Sequence, residues 1–186
     1  MSRTYAGLTI PDPGTFVIDP AHTLVGAVAR HLMVSKVRGR FADVSGVIKV
    51  AEDPLQSSVE VTIKAASIDT GVADRDNHLR SADFLDVENH PELTFRSTRI
   101  AKQEENEFWV VGDLTIRGVT REIELPMVYE GLQVNPWGKE VIGFSGSTEL
   151  DREEFGMTWN AALESGGVLV GKKLKIELEV EATREE

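Results

Sequence analysis

The sequence predicts an all-β protein whose strands form one antiparallel barrel, and three features support this prediction. In residues 59–65 apolar side chains alternate with polar ones, which is the period-two pattern of a strand with one dry face and one wet face. Residues 174–180 repeat this alternation near the C-terminus. No segment between residues 16 and 183 shows the sustained three-and-four spacing of an amphipathic helix.

The individual strands are bounded by turn-forming residues. The length of 186 residues suits one domain, which we place at residues 15–186 after an N-terminal extension at residues 1–14. Closure of the sheet removes its exposed edges, and a barrel of about eight strands has room for one small ligand. In chain order the predicted strands span residues 15–19, 23–35, 39–50, 59–65, 93–100, 108–116, 121–129, 141–150 and 174–180.

Two segments depart from the strand pattern. Residues 71–91 are too polar and alternate too poorly for a strand, so they predict short helical turns, with Asp76 or Ser81 as an N-cap. A connection of this length in a barrel is often functional, and we expect it to lie over one barrel mouth as a lid. Residues 151–167 predict a second such segment, to which Phe155, Met157 and Trp159 contribute apolar side chains.

The composition excludes several classes of function. There are 20 Lys and Arg against 31 Asp and Glu, and a net charge of −11 disfavours nucleic acid as a partner. Without cysteine the chain has no disulfide, thiolate metal site or catalytic thiol. The four histidines lack the spacing of a metal site, so no metal is expected. No signal-peptide pattern opens the sequence, which predicts a cytoplasmic protein.

Three polar residues are candidates for contact with a ligand head group. His31 lies in phase with the small apolar row of Val25, Ala27 and Ala29, so it is either a hydrogen-bonded core histidine or a ligand contact. Arg75 and His78 fall on the predicted lid, where Arg75 is a mobile charge unless it binds an anion such as phosphate.

A series of short motifs follows in order along most of the chain and resembles one known family. The motifs are Phe16-Val-Ile-Asp19-Pro-Ala-His22-Thr, Arg30-His31-Leu, Val37-Arg-Gly39-Arg-Phe41, Ser67-Ile-Asp69-Thr-Gly71, Arg75-Asp-Asn-His78-Leu79-Arg-Ser, Asp83-Phe84-Leu-Asp86, His90-Pro91-Glu-Leu-Thr-Phe95-Arg-Ser97-Thr, Gly112-Asp-Leu-Thr-Ile116-Arg-Gly118-Val-Thr and Asp151-Arg152-Glu-Glu-Phe155-Gly156. Together they resemble the YceI family of polyisoprenoid-binding proteins.

This resemblance implies an extended, lipocalin-like, eight-stranded antiparallel barrel with short helical lid segments. It also implies an apolar cavity that takes up a long isoprenoid chain, such as a polyprenyl phosphate or a prenylated quinone. Members of the family are often exported, and homodimers occur among them. Two positions differ from the usual pattern, since Ala27 stands where Phe is common and Thr23 where Ser is usual.

We therefore expect non-enzymatic binding, transport or storage of an isoprenoid lipid, with no other cofactor, transient membrane contact for lipid exchange, and a possible homodimer. Two alternatives stay open: an enzyme acting on a prenyl lipid with Asp69, Asp76 and His78 as acid and base, and an interaction module whose barrel is filled by its own side chains. The expected head-group contacts are His31, Arg75 and His78. The expected tail lining is Val25, Ala27, Ala29, Val61, Ile63, Phe84, Phe95, Leu114, Met127, Phe144, Phe155, Trp159 and Ile176.

Overall fold

The computed structural model describes residues 1–161, 163 and 169–186, and strands dominate it. One α-helix, α1 (Ala73–Arg80), and short 3-10 turns at Pro20–His22, Pro54–Gln56, Ala65–Ser67 and Arg152–Phe155 interrupt the strands. The strands are β1 (Ser2–Tyr5), β2 (Leu8–Pro11), β3 (Gly14–Ile18), β4 (Leu24–His31), β5 (Ser35–Phe41), β6 (Val44–Val50), β7 (Ser58–Lys64), β8 (Ile68–Asp69), β9 (Glu92–Glu104), β10 (Glu107–Ile116), β11 (Val119–Val134), β12 (Glu140–Asp151) and β13 (Val170–Arg184).

The predicted eight-stranded antiparallel barrel is confirmed. Strands pair around the barrel in the order β12, β11, β10, β9, β7, β6, β3 and β13, and β13 closes the ring on β12. β13 is long enough to pair with β3 near its C-terminal end and with β4 over its earlier residues. β4 then pairs with β5, and β5 with the short β8, so the sheet continues past the closed ring.

Two predicted strands are wrong in their extent. The segment 39–50 forms two strands, because Ala42 donates its N–H to the Ser67 carbonyl and the Asp43 carbonyl accepts from Lys64. The segment 23–35 is broken at its end, where positive φ values of 53° at Leu32 and 62° at Met33 turn the chain from β4 into β5. The alternation changes at both breaks, since residues 32–34 are all apolar and the apolar side chains move from odd positions (Phe41) to even ones (Val44).

The lid segment also differs from its prediction. α1 spans Ala73–Arg80, but Val72 occupies its N-cap without a side-chain hydrogen bond, and Ser81 lies at its C-cap. Asp76 is buried in the first turns of the helix and bonds to Thr70 instead of capping. In the second predicted lid segment a 3-10 turn ends at Gly156, which adopts a left-handed φ of 80°; residues 162 and 164–167 lie outside the described part of the chain.

The N-terminal extension folds as a hairpin of β1 and β2 that covers one barrel end. Its turn at Ala6 and Gly7 has positive φ values of 48° and 83°, which the glycine accommodates without a Cβ penalty. Ile10 is buried against the barrel interior, and the Tyr129 hydroxyl donates to the Thr9 carbonyl at 2.8 Å. The hairpin is therefore fixed to the barrel by packing and by side-chain hydrogen bonds.

Buried apolar side chains form a cluster at each end of the barrel. The hairpin-end cluster comprises Ile10, Phe16, Ile18, Phe108, Tyr129, Ile142 and Ala182. The loop-end cluster comprises Val44, Ile63, Ala65, Ile68, Phe84, Leu85, Leu93, Ile116, Leu150, Phe155 and Met157. Val61 packs against both clusters, which places it midway between the two ends. Among the described residues, no helix is long and apolar enough to cross a bilayer.

Candidate functional site: an apolar cavity inside the barrel

A cavity of about 240 Å³ lies inside the barrel, between the two apolar clusters. The strand register explains why its wall is apolar: directly opposed residues share a face of the sheet, so Phe144 and Val180 point inward together. Glu179 and Glu181, which alternate with Val180, belong to the opposite face. Period-two patterning thus creates a hydrocarbon interior within a strongly acidic protein.

Most residues predicted to line a ligand tail border this cavity, and they come from seven strands. They are Val25, Val61, Ile63, Phe95, Leu114, Met127, Phe144 and Ile176. The cavity also has walls that the sequence did not reveal. These are supplied by the N-terminal hairpin, the 51–57 connection and additional barrel positions, and they include Ile10, Pro11, Pro54, Ser57, Val110, Ile123, Leu125, Leu178 and Val180.

The remaining predicted lining residues lie elsewhere. Ala27 and Ala29 are on β4 but do not border the cavity. Phe84 and Phe155 are buried in the loop-end cluster, and Trp159 packs against that cluster. Their rings close one end of the barrel instead of forming its side wall, because the connections that carry them fold across the opening. The lid segments therefore contribute core residues.

Several hydroxyl groups around the cavity are hydrogen-bonded within the protein. The Ser57 hydroxyl accepts from the Ala51 N–H at 3.0 Å, and the Ser97 hydroxyl accepts from the Val59 N–H at 2.9 Å. Burial, followed by the nearby carboxylate of Glu140, raises the pKa of Tyr129 to about 12, so its phenol stays neutral. No described residue that borders the cavity is charged, which suits an aliphatic chain.

The three predicted head-group residues have separate surroundings. His31 ends β4, opposite Ser35 on one side and Val170 on the other. The Arg75 guanidinium donates to the Thr70 hydroxyl at 2.7 Å and to the Thr70 carbonyl at 2.8 Å. Arg75 is therefore anchored to the segment that precedes α1 and is not a mobile charge, because two of its donors are held by one residue.

His78 belongs to an aromatic group at the loop end. Its imidazole makes edge-on contacts with Phe84 at 5.0 Å and Trp159 at 4.6 Å between ring centroids. Its Nε2 lies 2.9 Å from Asp83, whereas the buried Asp76 accepts from the Thr70 N–H at 2.9 Å. The acid and base of the enzymatic alternative thus have different partners and do not form a hydrogen-bonded pair.

Arg152 is a buried residue that sequence reasoning missed, and only 2% of its surface is exposed. Its guanidinium donates to the backbone carbonyls of Met157 at 2.6 Å, Gly171 at 2.8 Å, Trp159 at 3.0 Å and Val170 at 3.2 Å. Burial lowers its pKa from the ordinary value. An arginine followed by two glutamates has the sequence signature of a solvated surface, so no spacing signal identifies it.

A second unpredicted group lies on the surface at the break between β3 and β4. His22 Nδ1 is 2.8 Å from Asp19 and 4.0 Å from Glu181. The hydrogen bond that His22 donates to Asp19 raises the pKa of His22, with a further contribution from Glu181, and the same bond lowers the pKa of Asp19. Asp19 also accepts from the Ala21 N–H, which caps the 3-10 turn. The group is therefore an ion pair that fixes this turn.

The fold and the cavity together define a lipocalin-like β-barrel protein with an apolar interior. Residues 16–182 match the model of the YceI-like domain, and the chain belongs to this family. A UPF0312 protein of Staphylococcus epidermidis is 40% identical over 168 residues, which cover 89% of this chain and 95% of that protein. A UPF0312 protein of Staphylococcus aureus is 35% identical with the same coverage.

One solved structure supports the same family, and two others share the fold. The Campylobacter jejuni YCEI protein has a TM-score of 0.72 and 33% identity, covering 84% of this chain and 90% of that one. Burkholderia cenocepacia BcnA shares the fold, with a TM-score of 0.77 and 24% identity; the match covers 88% of this chain and 98% of BcnA. A polyisoprenoid-binding domain of Saccharophagus degradans also shares the fold, with a TM-score of 0.72 and 13% identity; the match covers 94% of this chain and 100% of that domain.

Proposed function

We propose that this protein binds a long-chain isoprenoid lipid, either a polyprenyl phosphate or a prenylated quinone, inside the barrel and carries or stores it without altering it chemically. The observation that carries the proposal is the uncharged cavity between the two apolar clusters. A barrel filled by its own side chains would leave no such space. Membership in the YceI-like family and the shared fold with a polyisoprenoid-binding domain support the same ligand class.

The energetics favour a hydrocarbon ligand. Transfer of each CH₂ from water to an apolar surrounding is worth about 0.8 kcal/mol, so a prenyl chain gains affinity from length without polar contacts. Several of the hydroxyls that border the cavity are bound to backbone groups, as Ser57 is to Ala51, and these do not demand polar partners from a ligand. Selectivity would then follow from chain length and from the head group at the cavity's opening.

The lipid itself can be identified by organic extraction of protein purified from its own host, followed by mass spectrometry. The proposal predicts a stoichiometric prenyl lipid, and delipidated protein should rebind a fluorescent polyprenyl phosphate. Absence of any co-purified lipid together with no binding of polyprenyl phosphates or prenylated quinones would refute it. Incubation with the lipid should also return it unchanged, whereas a modified product would establish the enzymatic alternative.

Two further properties belong to the same proposal. One is a cytoplasmic location, which fractionation of the host cell tests. A homodimer agrees with known members of the family, and light scattering at several protein concentrations measures it.

A further inference from the structure

The turn between β4 and β5 carries an exposed apolar tip. Leu32, Met33 and Val34 are 40%, 52% and 81% exposed, although each is a large hydrophobic residue. The Val34 N–H bonds to the His31 carbonyl at 3.2 Å, which closes a tight turn around Leu32 and Met33. We call Leu32, Met33 and Val34 the apolar tip.

The backbone dihedral angles of the apolar tip are unfavourable for the residues that occupy it. Leu32 and Met33 both have positive φ, as a type I′ hairpin turn requires at its two central positions. Asn-Gly and Asp-Gly are the residues that favour this turn, because side chains such as Leu rarely adopt left-handed φ. Local folding therefore does not account for Leu-Met here, and exposure in water does not favour it either.

Behind the apolar tip lies a row of unpaired cations. β4 residue Val25 borders the cavity, so Arg30, which is out of phase with it, lies on the outer face of the sheet. Lys36 is directly opposite Arg30, and Arg38 and Arg40 follow on the same face of β5. All four are exposed, and no carboxylate of the described chain lies within salt-bridge distance of them. We call Arg30, Lys36, Arg38 and Arg40 the basic face.

The charges along the hairpin of β4 and β5 differ between its two ends. The acidic residues beside it, Asp69 and Glu177, are aligned with Arg40 and with its partner Gly26, at the end of the hairpin remote from the tip. Arg30 and Lys36 lie next to the tip itself. In a protein with a net charge of −11, positive charge thus surrounds the place where large apolar side chains enter solvent.

We propose that the apolar tip and the basic face form a docking surface for a lipid bilayer that contains anionic lipids. The tip inserts into the interfacial layer, while the basic face lies against the head groups. Such a surface would give the barrel access to an isoprenoid lipid in the membrane. In this respect the inference rests on the proposed function. Its geometry does not depend on the cavity, and the two can be tested separately.

The opposite end of the barrel provides an internal comparison. Trp137 is 83% exposed in the turn between β11 and β12, so it offers even more apolar surface than the tip residues. The cation beside it, Lys139, is paired with Glu186 at 3.3 Å, and Glu185 and Glu140 lie in the same region. An anionic bilayer would be repelled there, so Trp137 serves as a control of equal or greater exposure without a basic face.

The test is co-sedimentation of delipidated protein with vesicles of phosphatidylcholine, alone or mixed with phosphatidylglycerol. We expect binding to the mixed vesicles at low salt, and weak binding to phosphatidylcholine or at high salt. The double variant Leu32→Asn/Met33→Gly suits the type I′ turn, so its fold is preserved while its vesicle binding should fall at least about tenfold. Arg38→Gln should lower binding by about fivefold, and Trp137→Ala should leave it unchanged.

Each variant is also assayed for binding of a fluorescent polyprenyl phosphate in the absence of vesicles. Unchanged lipid affinity with reduced vesicle binding supports the docking surface independently of the cavity. The proposal is overturned if wild-type protein ignores anionic vesicles at low salt, or if Trp137→Ala abolishes binding while the double variant retains it. It is also overturned if the wild type self-associates through the tip, seen as a concentration-dependent mass that the double variant loses.

Discussion

Replacement of Arg152 by methionine should lower the free energy of unfolding by about 3–5 kcal/mol. The side chain is 2% exposed and bonds to four backbone carbonyls that belong to two different parts of the chain. Methionine fills much of the same volume but donates no hydrogen bond. The carbonyls of Met157, Trp159 and Gly171 would lose the bonds from this guanidinium, at about 1–3 kcal/mol for each group left unpaired.

We expect a loss in the lower part of the sum for these three carbonyls, because local relaxation and water entry relieve some of the cost of leaving them unpaired. The fourth carbonyl, that of Val170, keeps a bond from Asn160 at 2.7 Å. Urea unfolding with linear extrapolation measures the change. Arg117→Met is the matched control, since Arg117 lies in the turn between β10 and β11, is more exposed and makes a single bond to the Gly156 carbonyl at 2.9 Å. A loss below about 1 kcal/mol in Arg152→Met, or a loss equal to that of the control, would refute the reasoning.

Three further expectations concern hydrogen bonds at the surface and at the barrel end. The pair of His22 with Asp19 contributes fully to stability between a pH of about 4 and a pH of about 6.5, the ordinary pKa values of the two groups. Its contribution is lost as pH rises through the raised His22 pKa and as pH falls through the lowered Asp19 pKa. The stability difference between wild type and His22→Gln, measured by urea unfolding, should therefore shrink towards alkaline pH. In an ultraviolet absorbance titration, Tyr129→Phe should remove a phenol that ionises near pH 12. Arg75→Ala should cost about 1–2 kcal/mol of unfolding free energy, because two bonds to Thr70 are lost, while affinity for a polyprenyl phosphate stays unchanged.

The barrel could be predicted from the sequence because strand alternation is a local signal. Residues 59–65 and 174–180 show it clearly, and all but Ala65, which begins a 3-10 turn, fall within observed strands that contribute to the cavity wall. The breaks at Ala42 and after His31 were missed although the apolar phase changes at both, and the turns that form there depend on hydrogen bonds and backbone dihedrals that no local pattern states. The N-terminal hairpin was missed because its strands are only four residues each.

The site was predictable in part for the same physical reason. Lining residues on regular strands, such as Val61 and Phe95, could be predicted because every second residue of a strand faces the barrel interior. Phe84 and Phe155 lie on irregular connections, where no alternation pattern predicts the position of an aromatic ring. Their rings close the loop end of the barrel instead of lining its cavity. Arg152 could not be found at all, because its partners are backbone carbonyls brought together only by the fold.

Binding of a polyprenyl phosphate to Val61→Trp, compared with Glu60→Trp, tests the central claim most directly. Val61 borders the middle of the cavity, whereas the adjacent Glu60 is exposed on the outer face of the same strand. An indole at position 61 should fill the space that the lipid chain occupies, so affinity should fall at least about tenfold with little loss of stability. Glu60→Trp should bind like wild type. Equal affinities in both variants would show that the lipid does not occupy the barrel interior.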